Sequence, residues 1–335
     1  MNKDINDIFS DEMENEIMSE IKKKRSKLNI KLIIAATFST IIILVAGILI
    51  FNFASTKYIK TSFEKDSEKQ ELEYSIMYPN EYIGKYSCRE TGYFKFESTF
   101  EYGKRLGSKV IYAGSESFLG GLSKNGVSAK GWKLSKNSIN VDINKRYSNV
   151  YGLRKLHFLY PYVQYGKEIY EFEAEDNKTL EKGDEEKIND FHYLNEMDDN
   201  KIVEMALSFD KDYIYEDVNK EIDEKLITFY WVDNNSAEEK QKAIETKVPD
   251  FNAVGIKAND GSGELEEGPN NLREHFKEAV RKLKEIGDTK YVENIDENNF
   301  RISGVVVVGT PKELMSIQKN PMIKHAILGT VVDKY

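Results

Sequence analysis

Apolar residues are arranged along this chain in three different ways, and each arrangement predicts a different structure. The first is an unbroken run. From Leu32 to Phe51 the sequence reads LIIAATFSTIIILVAGILIF, without a charge. A bilayer core about 30 Å thick takes about 20 helical residues at 1.5 Å each, so the run fits one crossing. Thr37, Ser39 and Thr40 can return their hydroxyls to carbonyls one turn earlier, which makes them tolerable in lipid. The core helix of a folded domain keeps a polar face, and this run has none. A membrane helix over 32–53 is expected.

The second arrangement has a spacing of four. Ile5, Phe9, Met13, Ile17 and Ile21 recur as on one face of a helix, with Ile8 and Met18 beside them. The rest of that segment is acidic: Asp4, Asp7, Asp11, Glu12, Glu14, Glu16 and Glu20. A helix of this kind has no neighbouring domain on its side of the membrane in which to bury its stripe. It lies in a partner's groove, rests on the bilayer, or frays as a polar tail. The candidate partner-binding set is Ile5, Ile8, Phe9, Met13, Ile17 and Ile21.

The third arrangement is alternation, first alone and then mixed with helical spacing. Residues 54–75 read as a charged stalk that continues the membrane helix. From 76 to about 175 the pattern is that of strands, as in Tyr93–Phe100 (YFKFESTF) and Ile139–Ile143 (INVDI), with glycines at the turns. Residues 173–200 are rich in acids, lysines and asparagines, and most of them read as linker or exposed loops. Beyond them Val203, Met205, Leu207 and Phe209 alternate as in a strand. Val218, Ile222 and Leu226 have helical spacing within Glu216–Leu226, and Ile227–Val232 is a second strand. A Gly/Asn/Glu-rich loop at 257–268 leads to a helix opened by Pro269, with Leu272, Phe276, Val280, Leu283 and Ile286 on its apolar face. Ile302–Val308 (ISGVVVV) reads as a buried strand, and Ile323–Val332 as the last one. Between them Thr310-Pro311-Lys312-Glu313 has the form of a capping box. The expected fold class is α+β: one transmembrane helix, a β-rich region over 76–175, and a two-layer α/β sandwich over 201–335.

Charge orients the membrane helix. Lys22, Lys23, Lys24, Arg25, Lys27 and Lys31 precede it, whereas only Lys57 and Lys60 follow closely. The positive-inside rule makes 1–31 a cytoplasmic tail and puts the remainder outside the cell membrane. The run is too long, and Asn52-Phe53-Ala54 too poor a cleavage site, for a removable signal peptide. About 280 residues follow the helix, enough for one large or two modest domains. A net charge of −9 argues against direct nucleic acid binding by the bulk of the protein. Cys88 is the only cysteine, which excludes internal disulfides, paired-thiol redox chemistry and cysteine zinc clusters.

Motifs for catalysis are lacking. His157, His192, His275 and His325 have no metal-ligand spacing, and no GxSxG, SxxK or Walker sequence occurs. Gly255–Gly263 (GIKANDGSG) reads as a loop and not as a phosphate cradle. Tyr160-Pro161-Tyr162-Val163-Gln164-Tyr165 fits either a packed sheet or a ligand cleft. The residues suggest a sensor or scaffold, with no catalytic residue, metal or cofactor assigned, and leave an extracellular ligand- or peptide-binding module as the alternative.

The carboxy-terminal third resembles the sigma factor regulator family, membrane anti-sigma factors of Gram-positive bacteria. Lys201–Asp217 (KIVEMALSFDKDYIYED) is similar to its opening strand and acidic turn, and Ile227–Asp233 (ITFYWVD) to its aromatic second strand. Ile302–Ile317 (ISGVVVVGTPKELMSI), followed by Asn320–Val331, resembles its strand–GTP–helix ending. The amino-terminal half resembles the companion domain in architecture. The resemblance implies a non-enzymatic protein whose cytoplasmic tail holds an extracytoplasmic-function sigma factor at the membrane. Its outer domain would answer envelope stress or bind another membrane protein. The tail is shorter than the folded sigma-binding domains of many anti-sigma factors and lacks their zinc ligands. A second membrane protein, or folding upon binding, is the expected remedy. Release is expected to follow proteolysis of the 54–75 stalk and then of the helix.

Overall fold

A computed structural model describes residues 11–122, 128–137, 156–160, 189–236, 247–249, 253–258, 269–287 and 290–334. INVDI, Pro161–Tyr165 and most of the loop after Lys257 lie outside them. The described chain clusters into two compact units, Met1–Thr61 with Gly92–Phe94, and Ser62–Thr91 with Lys95–Tyr335.

Helix α1 (Asp11–Ile76) runs 66 residues, about 99 Å at 1.5 Å each. Its sequence has no proline and one glycine, Gly47, so nothing in it breaks the hydrogen-bond ladder. Thr37 donates its hydroxyl to the Ile33 carbonyl at 2.8 Å and Thr40 to Ala36 at 2.9 Å, the expected back-bonds. Leu32, Ile33, Phe38, Ile43, Ile48 and Ile50 are all exposed, so no protein surface covers any side of the run from Leu32 to Ile50. That excludes a core helix. This is the one described helix long and apolar enough to cross a membrane.

In the second unit, β1 (Glu81–Gly92), β2 (Lys95–Leu106), β3 (Lys109–Leu122) and β4 (Ser128–Asn137) form a four-stranded meander in that order. The alternation of Tyr93–Phe100 was expected to be one strand. Instead Tyr93 and Phe94 make the β1–β2 turn, with Phe94 at φ 54°, and only Lys95 onwards is strand. Phe96, Phe100 and Tyr102 then point inwards in alternation. Phe100 and Tyr102 pack with Tyr74, and Phe63 of α1 lies against that cluster.

The larger sheet has five antiparallel strands, β11 (Ile323–Asp333), β6 (Lys201–Tyr213), β10 (Ile302–Gly309), β7 (Ile227–Val232) and β9 (Gly255–Lys257), in that order. Val203, Met205, Leu207 and Phe209 face one side with Val305, Val307, Tyr230 and Leu328. Against them lie Leu272, Phe276, Val280 and Leu283 of α4 (Pro269–Glu285), Val218 of α3 (Tyr215–Glu221) and Leu314 of α5 (Pro311–Met315). This is the expected helix-on-sheet sandwich. Its opposite face is covered too: Ala206, Phe229, Trp231 and Val306 meet Phe158 and Tyr160, with Phe158 stacked 4.7 Å from Trp231. Phe158 belongs to β5 (His157–Leu159), which pairs with β8 (Lys247–Pro249) as a ribbon. Tyr160 is thus core. Burial on both faces explains why β10 is apolar at nearly every position.

Four boundaries differ from expectation. The helix at Glu216–Leu226 ends at Glu221, where Ile222 is extended and Asp223 accepts the Lys225 N–H in a turn. Helix α4 stops at Glu285, with Gly287 at φ 77° beyond it, so Ile286 is exposed. Gly255–Lys257 is not loop but an edge strand, and a side chain on Gly255 would meet the Tyr230 carbonyl at 1.9 Å. Within 189–200 lies α2 (Phe191–Leu194), whose Phe191 and Leu194 are buried in the main core, so these two positions are not exposed loop.

Candidate functional site

Helix α1 presents the tail stripe openly. Met13, Ile17 and Ile21 are 46%, 47% and 41% exposed, with Met18 at 50% beside them. Ile5, Ile8 and Phe9 lie outside the described residues. Three apolar side chains at four-residue spacing thus stand uncovered along one helix.

At its other end α1 is built into the core. Ile76 and Met77 are buried with the main sheet, and Met77 forms an isolated bridge with Val254. The chain then turns through Tyr78 and Asn80, at φ 56° and 62°, into β1. Asparagine tolerates that conformation; tyrosine adopts it at a cost of about 1–3 kcal/mol, met here by ring packing. Tyr78 stacks at 4.2 Å on Tyr74, which stacks at 4.6 Å on Tyr102. Burial pushes all three phenols well above their ordinary range, so they stay neutral.

Below this stack sits the most buried charge pair among the described residues. Lys104 of β2 and Glu204 of β6 meet at 2.8 Å, their side chains 2% and 0% exposed. Glu204 also accepts from the Asn80 side chain at 2.7 Å and from the Thr330 backbone N–H at 3.1 Å. The Asn80 carbonyl takes the Arg105 N–H at 2.8 Å. One carboxylate therefore gathers donors from the turn after α1, from the meander and from β11. Nearby, Lys257 donates to the Glu81 carbonyl at 2.6 Å and lies 5.8 Å over the Tyr74 ring.

Beside the stack opens a cavity of about 480 Å3, lined by Tyr74, Tyr82, Tyr86 and Phe276, with Glu71, Lys257 and His275 among its polar groups. Among the described residues no cluster of His, Cys, Asp or Glu is arranged to hold a metal. The four histidines stand on separate elements. Cys88 is exposed on β1, and desolvation with neighbouring Glu90 and Asp66 raises its thiol above the ordinary range.

Sequence reasoning missed Lys104 and Glu204. A signal existed: Glu204 interrupts the apolar run of KIVEMALSF, where a charge must find a partner if both faces are buried. The partner is 100 residues away by number and could not be chosen among so many lysines.

A family model described as sigma factor regulator C-terminal matches residues 194–330. No curated protein and no solved structure matches the chain. The matched stretch runs from the last residue of α2 to Thr330 and contains β6, β7, β9 and β10 whole, with β11 as far as Thr330. It holds all but the final residue of the segments whose sequence resembles the family. Residues 194–330 of this chain are thus similar to the carboxy-terminal domain of the sigma factor regulator family.

Proposed function

We propose that the protein is a membrane-bound anti-sigma factor. The tail holds an extracytoplasmic-function sigma factor through Ile5, Ile8, Phe9, Met13, Ile17 and Ile21, and the domain outside the cell responds to envelope signals. One observation carries this reading: a stretch that matches the sigma factor regulator carboxy-terminal model lies on the same chain as a bilayer-length helix, and that helix extends beyond the span into an uncovered apolar stripe. The acids around the stripe suit the basic surface of a DNA-binding partner. The stripe supplies affinity, and the acids steer and select. A second membrane protein and regulatory proteases are further proposed partners.

The test is capture from lysate by the full chain in lipid nanodiscs, beside the Phe9→Ala/Met13→Ala variant. Recovery of a sigma factor by the first and its loss by the second supports the proposal. Capture of none, or equal capture by both, refutes the assigned face. Orientation is read separately with a membrane-impermeant maleimide on intact cells. Exposed Cys88 is labelled if the domain is outside and spared if it is inside.

The tyrosine-lined cavity favours one other reading, a membrane-anchored ligand- or peptide-binding module without a sigma partner. Deleting residues 1–21 separates the two, since only an anti-sigma factor then releases a regulon.

A further inference from the structure

The β1–β2 turn is an aromatic tip fastened to α1. Phe94 donates its backbone N–H to the buried Ser55 hydroxyl at 2.8 Å, and its ring lies edge-on to Phe51 at 5.3 Å and to Tyr58 at 5.7 Å. The Tyr93 ring sits 4.9 Å from Phe51. Phe51 and Phe53 end the apolar run, and Lys57 and Lys60 follow. Tyr93 nevertheless remains 59% exposed, Phe51 48% and Phe53 72%.

A tight turn with two large rings is an unfavourable object in water, and its place along α1 offers a better solvent. Ser55 is four residues past Phe51, about 6 Å of helical rise. The headgroup layer on each side of the hydrocarbon core is about 5–8 Å deep. The tip therefore falls in that layer, where amphipathic rings concentrate in membrane proteins. Tyrosine suits it in particular, with an apolar ring and a hydroxyl for the headgroups.

We infer that Tyr93 and Phe94 form a second membrane contact, a hairpin tip immersed in the lipid headgroup layer where α1 leaves the bilayer. This rests on α1 crossing the membrane. The tip makes the emerging helix two-legged: one covalent strand passes through the lipid and a second, non-covalent foot rests at its surface.

The test uses the full chain in nanodiscs with Cys88→Ser and single nitroxide-labelled cysteines. Ile42→Cys lies mid-run, Tyr93→Cys at the tip, and Val110→Cys next to the β2–β3 turn at Gly107. Relaxation by oxygen relative to a water-soluble nickel chelate reports depth. Ile42 should give the highest ratio and Val110 the lowest, with Tyr93 several-fold above Val110. Gly92→Cys, which leaves both rings in place, should report the same depth and guards against a tip disturbed by labelling. A Tyr93 and Gly92 ratio equal to that of Val110, with Ile42 still in lipid, overturns the inference. A water-exposed Ile42 overturns the membrane span itself.

Discussion

Glu204 is a carboxylate with nothing but protein around it, and its energetics turn on Lys104. Removing one partner of such a pair leaves the other charge buried and costs about 3–5 kcal/mol, whereas replacing both with apolar groups can be neutral. Lys104→Met should therefore lower unfolding stability by about that amount, and Glu204→Leu added to it should recover much of the loss. Urea unfolding followed by circular dichroism measures both. Recovery will stop short of complete, because Asn80 and Thr330 also donate to Glu204. At α5 a smaller effect belongs to Thr310, whose side chain and that of Glu313 complete the capping box. Thr310→Ala should cost about 1 kcal/mol. The backbone N–H and the hydroxyl of Thr310 hold Glu313 below the usual carboxylate range. Its contribution is thus complete above the unfolded value of about 4.3 and is lost as pH falls through the folded one. Glu313→Gln should flatten this part of the acid limb of a stability–pH profile. The two cases differ in legibility. Thr310 and Glu313 are three residues apart, so their pairing was readable as local grammar. Lys104 and Glu204 are joined only by the fold, and no periodicity encodes which lysine meets which acid.

Among elements, the stalk departs most from what its composition suggests. Residues 62–76 are rich in charge, yet Ser67, Tyr74 and Ile76 are buried and Phe63 is partly covered, its ring 6.5 Å from Phe100 of β2. Glu64, Lys65 and Glu68 take the outer side. Charge on one side of a helix hides the apolar side from a reading of composition alone; the spacing Phe63, Ser67, Tyr74 was too mixed to declare it. A protease acting here needs an unfolded segment, so proteolytic release requires the meander to lift away first. Phe100→Ala, which empties part of that contact at a cost of about 3–5 kcal/mol, should hasten limited proteolysis within 62–76. Gel analysis with mass mapping would show it, and unchanged resistance would mean that the helix needs no cover. Whereas β9, three residues long, reads as loop, the other four strands of the five-stranded sheet were readable because each is a dense apolar run. The ribbon of β5 and β8 was not, since strands of three residues carry no period.

For the molecule as a whole, the order of parts could be read early: an acidic striped tail, a bilayer-length run, a meander, then a helix-covered sheet. What the sequence withheld was attachment. Ile76 and Met77 look like the end of a linker, yet they belong to the main core, so α1 is a structural member of the domain it carries. The same helix has a torsional consequence. Between Met13 and Ser55 it has neither proline nor a described break, so stripe and tip-binding face are set at a fixed azimuth on one rod. One alanine inserted among Lys22–Lys31 turns the stripe by about 100° and leaves the span where it is. Seven alanines return it to within about 20°. If twist carries the signal, regulation in cells should fail with the first insertion and revive with the second; if the tail is merely tethered, both insertions will be silent.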